Sequence, residues 1–274
     1  SCYDRIVPSS ASLIARSLGM HPNITKMHAD TLQLSRYRLK TSLGISSSSY
    51  SHTSDFPIYG TGQGSTNSPP IWSIISSKLY DVHNRKAHGA SFYAPNRTSH
   101  VQLSISGFVD DSTGQTNDFN SVPQPDPIDL AYLATVDADI WSQELFISGG
   151  LLELLKCSYH FLHFLFRPSG KPYMQTGEVG PAIEIPDPLT GSPVSIPCKA
   201  IDDEHKTLGH FKAPCGTLPK QRAALLHAAD SIAQMVLGSY LTPTESQMVY
   251  YAVFLTKFAY VLPQCYFTPN QLSK

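Results

Sequence analysis

Val101-Gln102-Leu103-Ser104-Ile105-Ser106-Gly107-Phe108-Val109-Asp110-Asp111-Ser112-Thr113-Gly114 ends an alternating apolar run on two adjacent carboxylates. Val101, Leu103 and Ile105 recur at every second position, the period of a half-buried strand. Ser112-Thr113-Gly114 supplies a turn. The stretch therefore predicts a hairpin with carboxylates at its tip. Successive side chains on a strand point to opposite faces, so a tip of this kind lets at least one of Asp110 and Asp111 reach a metal ion. On its own the pair reads as ordinary turn chemistry, because aspartate is common in turns.

Upstream of the hairpin, Pro8 and Ser9 start a helix that runs to Leu18, with Leu13, Ile14 and Leu18 as its apolar face and Gly19 as its stop. A second helix spans Pro22 to about Leu34. Tyr37, Leu39, Thr41 and Leu43 alternate with polar or basic residues, which suggests a half-buried strand. Ser46 to Ser49 is a flexible serine run, and Tyr59 to Asn67 forms a glycine-rich loop. Ser68-Pro69-Pro70 then opens a helix, proline being tolerated in a first turn. Its buried face is Ile71, Ile74, Ile75 and Leu79.

Downstream, a polar, proline-rich linker from Ser121 to Pro127 leads into a long helix from about Ile128 to Ile147. Gly149-Gly150 ends that helix, and Leu151 to Lys156 makes a short further turn. Tyr159 to Phe166 has the aromatic content of a strand. Pro181 to Cys198 reads as a two-stranded excursion around Leu189-Thr190-Gly191-Ser192. From Pro219 the pattern changes, and Gln221 to Leu237 and Thr244 to Val261 are helical. The mixture is α+β, with residues 1–217 as one part and a separate helical module over 218–274. No internal repeat is visible.

Composition narrows the class. The 274 residues are 41% hydrophobic and 15% charged, as in ordinary globular proteins. No apolar run reaches membrane-spanning length, and the N-terminus has neither the charged nor the apolar region of a leader. Its lack of an initiator Met suggests a piece of a longer polyprotein, whose other domains would be partners. Twenty basic against 21 acidic side chains give a net charge of −1, which argues against a stand-alone nucleic-acid binder. A locally basic groove is compatible with that balance. Arg36, Arg38 and Lys40 are candidates for one, although three alternating cations are more often a solvated strand face. Five scattered cysteines make no disulfide framework. Cys157 with His160, and Cys215 near His205 and His210, fall short of the two close ligand pairs of a zinc site.

The Gly60-Thr61-Gly62-Gln63-Gly64-Ser65 loop is not a P-loop, because no Lys-Ser/Thr follows its glycines, and its spacing does not fit a dinucleotide fingerprint. It presents backbone and the Gln63 amide just before a helix N-terminus, where unsatisfied N–H groups favour phosphate or bases. With Ser68-Pro69 it resembles the Gly-x-Pro-Gln-Gly-Ser-x-x-Ser-Pro motif of non-LTR (LINE-like) reverse transcriptases. Phe108-Val109-Asp110-Asp111 resembles that family's aromatic-x-Asp-Asp motif. Gly149-Gly150 followed by Leu152, Glu153, Lys156 and Cys157 resembles its next motif, and Lys206-Thr207-Leu208-Gly209 its primer-grip segment. Cys2-Tyr3-Asp4 resembles the tail of the first motif, Asp-x-x-x-Ala-Phe-Asp. The five occur in the family's order.

This resemblance implies a polymerase palm, an antiparallel sheet with flanking helices, plus part of the fingers over 1–217 and a helical thumb over 218–274. It implies an RNA-directed DNA polymerase, in which two-metal nucleotidyl transfer joins a dNTP to a primer 3′-OH. The cofactor would be Mg²⁺, the partners an RNA template and a DNA primer, and the location intracellular, nuclear when chromosomal DNA is the target. Asp110 and Asp111 would be metal ligands, and Lys156 a proton donor near the leaving pyrophosphate. Tyr3 would stack under the sugar and exclude a ribose 2′-OH. Gln63 would meet the incoming base pair, and Gly62, Gly64, Ser65, Leu208 and Gly209 the nucleic acid. Gly62 stands where the family has proline, and Phe108 where tyrosine is commoner. The first motif's leading aspartate would fall three residues before Ser1, so the chain by itself is expected to be nearly inactive. Two alternatives share the motifs: an intron-maturase-type polymerase, and a catalytically dead palm-like relic that only binds nucleic acid or a partner. Tyr3 argues against an RNA-directed RNA polymerase.

Overall fold

Six helices of this chain each carry a proline in the first turn, where the missing N–H is not needed and the fixed φ suits the helix. In a computed structural model describing residues 5–55, 59–61, 65–109, 111–118, 126–176 and 180–267, these are α1 (Pro8–Ser17), α2 (Pro22–Leu34), α3 (Ser68–Lys86), α4 (Pro127–Ile147), α5 (Pro219–Leu237) and α6 (Pro243–Val249). A π-helical turn over Tyr250–Leu255 and a short α7 (Thr256–Phe258) continue α6. The expected helix over 244–261 is therefore broken in pitch, and its Tyr250, Phe254 and Phe258 rings stack in sequence.

Sixteen short strands pair into eight two-stranded ladders, and among the described residues no ladder is wider. β1 (Arg36–Tyr37) pairs with β4 (Tyr50–Ser51), β2 (Lys40–Thr41) with β3 (Gly44–Ile45), β5 (Ala90–Tyr93) with β6 (His100–Leu103), and β7 (Ile105–Phe108) with β8 (Asp111–Gly114). Further along, β9 (Tyr159–His160) runs parallel to β14 (Cys198–Lys199). The antiparallel pairs β10 (Phe164–Phe166) with β11 (Pro172–Met174), β12 (Ile183–Pro186) with β13 (Pro193–Ile196), and β15 (His205–Thr207) with β16 (His210–Lys212) complete the set. The chain is thus α+β.

Several expectations are corrected. The run from Val101 to Phe108 is two strands rather than one, because the Ser104 N–H leaves the ladder to donate to Asn84 Oδ1 at 3.1 Å. The strands close between Phe108 and Asp111, which pair, and Ser112–Gly114 are not a turn but part of β8. The predicted strand over 37–43 is two fragments with Leu43 in the turn between β2 and β3, its N–H held by Thr41 Oγ1 at 3.2 Å. Arg36, Arg38 and Lys40 are all exposed, as a solvated face would be. Tyr159–Phe166 likewise divides into β9 and β10. On α1 the buried face is Ala11 and Ala15, while Leu13 and Leu18 are exposed. Ala11 packs with Ile6 and Ile75.

The chain forms two units: residues 1–157 with 181–197, and residues 158–180 with 198–274. This partition differs from a boundary near Leu218. The buried Glu204 carboxylate accepts from the N–H groups of Lys220 (2.6 Å) and Gln221 (3.1 Å), which fastens the start of α5 to the preceding segment. In the second unit Leu225, Ala228, Ile232, Phe258 and Val261 make the core. In the first unit one cluster is Ile6, Ala11 and Ile75, and another is Ile105, Trp141 and Leu145. The 181–197 excursion belongs to this unit, with Ile183, Ile185 and Ile196 buried.

Candidate functional site

The Asp-Asp hairpin lies along α3, which holds it at three levels. At the base, Asn84 Oδ1 accepts from the N–H and hydroxyl of Ser104. In the middle, Tyr80 sits against Gly107 so closely that an added Cβ would lie 1.6 Å from its hydroxyl and 2.5 Å from Cζ. At the tip, the Trp72 indole N–H donates to the Val109 carbonyl. Residues 72, 80 and 84 share one helix face, with a spacing of eight and then four. Twelve residues of helix rise about 18 Å, and the five strand steps from Ser104 to Val109 span about 17 Å. The helix therefore matches the hairpin in length.

The opposite strand is held from α4. Trp141 Nε1 donates to Ser112 Oγ at 3.1 Å, and its ring stacks on Tyr80 and meets His83 edge-on. Just beyond β8, the Thr116 hydroxyl donates to the buried Asp137 carboxylate at 2.7 Å. That carboxylate also accepts from the N–H groups of His88 (2.7 Å) and Gly89 (3.1 Å). His83 and Glu144, both buried, face one another at 3.3 Å between α3 and α4. Burial holds the His83 imidazole below its usual range, against the opposing pull of Glu144.

Other motif segments meet the same framework. The Gly60 N–H donates to Ile6 O at 2.8 Å, so the residues following Cys2-Tyr3-Asp4 touch the start of the glycine-rich loop. Within that loop Thr61 O accepts from the buried Ser68 hydroxyl at the head of α3 (3.0 Å). The Ser65 carbonyl accepts from Ser68 N–H at 3.2 Å, which gives exposed Ser65 a local role in starting the helix. Gly149, at φ +91°, abuts Arg5 O and Val7, and Leu152 packs on the Ile105–Trp141–Leu145 cluster. Lys156 ends a 3₁₀ turn, exposed and without an ion pair among the described residues. In the second unit, Leu208 (φ +51°) and Gly209 (φ +87°) are the two turn residues of the β15–β16 hairpin. Two positive φ values suit a tight hairpin turn.

Tyr3, Gly62, Gln63, Gly64 and Asp110 lie outside the described residues. Asp111 opens β8 opposite Phe108. It is exposed, and among the described residues no ion pair or hydrogen bond engages its carboxylate. An exposed carboxylate oxygen suits Mg²⁺, which takes one or two such ligands and fills its shell with water or phosphate. Among the described residues no group of three or more His, Cys, Asp or Glu is placed to hold a metal ion.

Trp72, Tyr80 and Asn84 escape a reading based on apolar periodicity. Trp72 and Tyr80 pack against the two core clusters of the first unit, and all three residues also meet the hairpin backbone. Two signals were present: a large aromatic in the helix's first turns, and a glycine one residue before the hairpin's aromatic. A shallow groove of about 310 Å³ runs between helix and hairpin, lined by Trp72, Ser76, Tyr80, Gly107 and Val109. No helix among the described residues is long and apolar enough to cross a membrane. No family model matches the chain, and no curated protein matches its sequence.

Proposed function

We propose that the chain is a palm-type nucleotidyltransferase fragment, an RNA-directed DNA polymerase of the non-LTR reverse transcriptase kind, with 218–274 as its thumb. The observation that carries this reading is the convergence of four motif segments on one framework. The residues after Tyr3-Asp4, the glycine-rich loop, the Asp-Asp hairpin and the Gly149–Leu152 segment all meet α3 or each other. Segments so far apart in sequence have no local reason to do so.

In this reading Asp110 and Asp111 hold Mg²⁺, which neutralises charge on the triphosphate and on the attacking 3′-oxygen when bound. The hairpin backbone, held along α3, fixes the two carboxylates relative to the glycine-rich loop. Gln63 and Ser65 position the templated base pair beside the start of α3. Tyr3 excludes the 2′-OH, and Lys156, exposed on its turn, donates a proton to the leaving pyrophosphate. Leu208 and Gly209 support the primer.

Sugar discrimination tests the proposal. The chain, extended at its N-terminus through the first motif's leading aspartate, is given an oligo(dT) primer on poly(rA). It should incorporate dTTP at least 100-fold more efficiently than UTP, and Tyr3→Val should narrow that ratio more than tenfold. Equal use of the two nucleotides, or a ratio unmoved by Tyr3→Val, would remove the assignment.

A further inference from the structure

Phe108 and Asp111 are paired at the end of the Asp-Asp hairpin, so the connection between its strands is two residues long in sequence. Such loops need a positive φ at their first position, which is why asparagine and glycine dominate there. This chain has valine instead, at φ +56°. A β-branched residue in the left-handed region is a genuine conformational outlier, held only where its surroundings over-determine it. Here the surroundings are identifiable. The Val109 carbonyl receives the Trp72 indole N–H, and the strand leading to it is pinned by Tyr80 on Gly107. The hydrogen bond crosses the outer end of the groove between α3 and the hairpin.

We infer that Trp72 is a positioning residue: its hydrogen bond holds the strained Val109 conformation and so fixes the backbone on either side of Asp110. The inference rests on the nucleotidyl-transfer reading for its purpose, though not for its geometry. It distinguishes Trp72 from a residue that only fills space, because a space-filling ring needs no N–H. It also predicts an energetic link to residue 109. Glycine adopts the left-handed conformation without steric cost, so a glycine tip depends less on the indole.

The test compares wild type, Trp72→Phe, Val109→Gly and the double variant by amide hydrogen exchange at Phe108 and Asp111. Broadening of the same signals by Mn²⁺ is followed in parallel, with Asp110→Asn as control. Trp72→Phe keeps a ring, and its folded state is verified by unchanged exchange in α4. Exchange at the tip should speed up about tenfold or more in Trp72→Phe and return to within threefold of Val109→Gly in the double variant. Mn²⁺ broadening should weaken in Trp72→Phe and recover alongside. Tip exchange unchanged by Trp72→Phe, or an effect that Val109→Gly does not relieve, would overturn the inference. Absence of Asp110-dependent Mn²⁺ broadening in the wild type, with the exchange pattern intact, would instead overturn the metal reading and leave Trp72 a purely conformational clamp.

Discussion

Gly107 shows how one residue can set the distance between a helix and a strand. Its hydrogen side chain lets Tyr80 lie on the β7 backbone, and no other residue fits without moving the ring. Gly107→Ala should therefore destabilise the first unit by about 1–3 kcal/mol, the usual cost of overpacking, seen as a lower midpoint in urea unfolding. An unchanged midpoint would mean that Tyr80 swings aside freely. At this scale the sequence was partly legible. The paired carboxylates stand out as chemistry because two adjacent charges end an apolar run. Val109 does not stand out, since its positive φ follows from the position of the turn, and Ser112-Thr113-Gly114 offers a more ordinary turn composition three residues later. Trp72 was invisible for a related reason: its partner is a carbonyl, and carbonyls leave no trace in residue types.

The elements divide by how local their causes are. The helices α1 to α6 were legible because each of their starts is marked by proline and several ends by glycine, signals that act within a few residues. The capping box of α6, in which Thr242 and Glu245 bond reciprocally, is another local device. Glu245 is held below the usual carboxylate range by the Thr242 N–H and hydroxyl. By contrast, α5 has no side-chain cap from Leu218. Its first N–H groups are satisfied by Glu204, some fifteen positions earlier, and Gln221 in turn accepts from Phe211 N–H at 2.6 Å. Glu204→Ala should cost the second unit about 1.5–3 kcal/mol, as expected when hydrogen bonds to a charged group are lost. It should also raise hydrogen exchange in the first turn of α5. Loss confined to the β15–β16 hairpin would contradict this capping role. The strands were the least legible, because period-two alternation identifies a strand without naming its partner. At Ser104 a side chain from α3 ends one pairing and begins another.

Across the whole molecule, the α+β class follows from the alternation of helical and strand patterns, while the partition into two units does not. Residues 158–180 and 198–274 form the second unit, and the intervening 181–197 hairpin returns to the first, where its isoleucines are buried. That return depends on apolar faces finding each other at long range, which the linear pattern does not encode. The net charge of −1 and the motif resemblance pull in different directions for the proposed nucleic-acid enzyme, and chemistry at Asp110 decides between them. The most direct measurement is extension of a DNA primer on an RNA template with dTTP and Mg²⁺. It uses the chain carrying the first motif's leading aspartate, beside its Asp110→Asn variant. Extension that falls at least 1,000-fold with Asp110→Asn, while the variant stays folded, is the predicted result. No extension by the folded parent, or extension indifferent to Asp110, would contradict the polymerase reading.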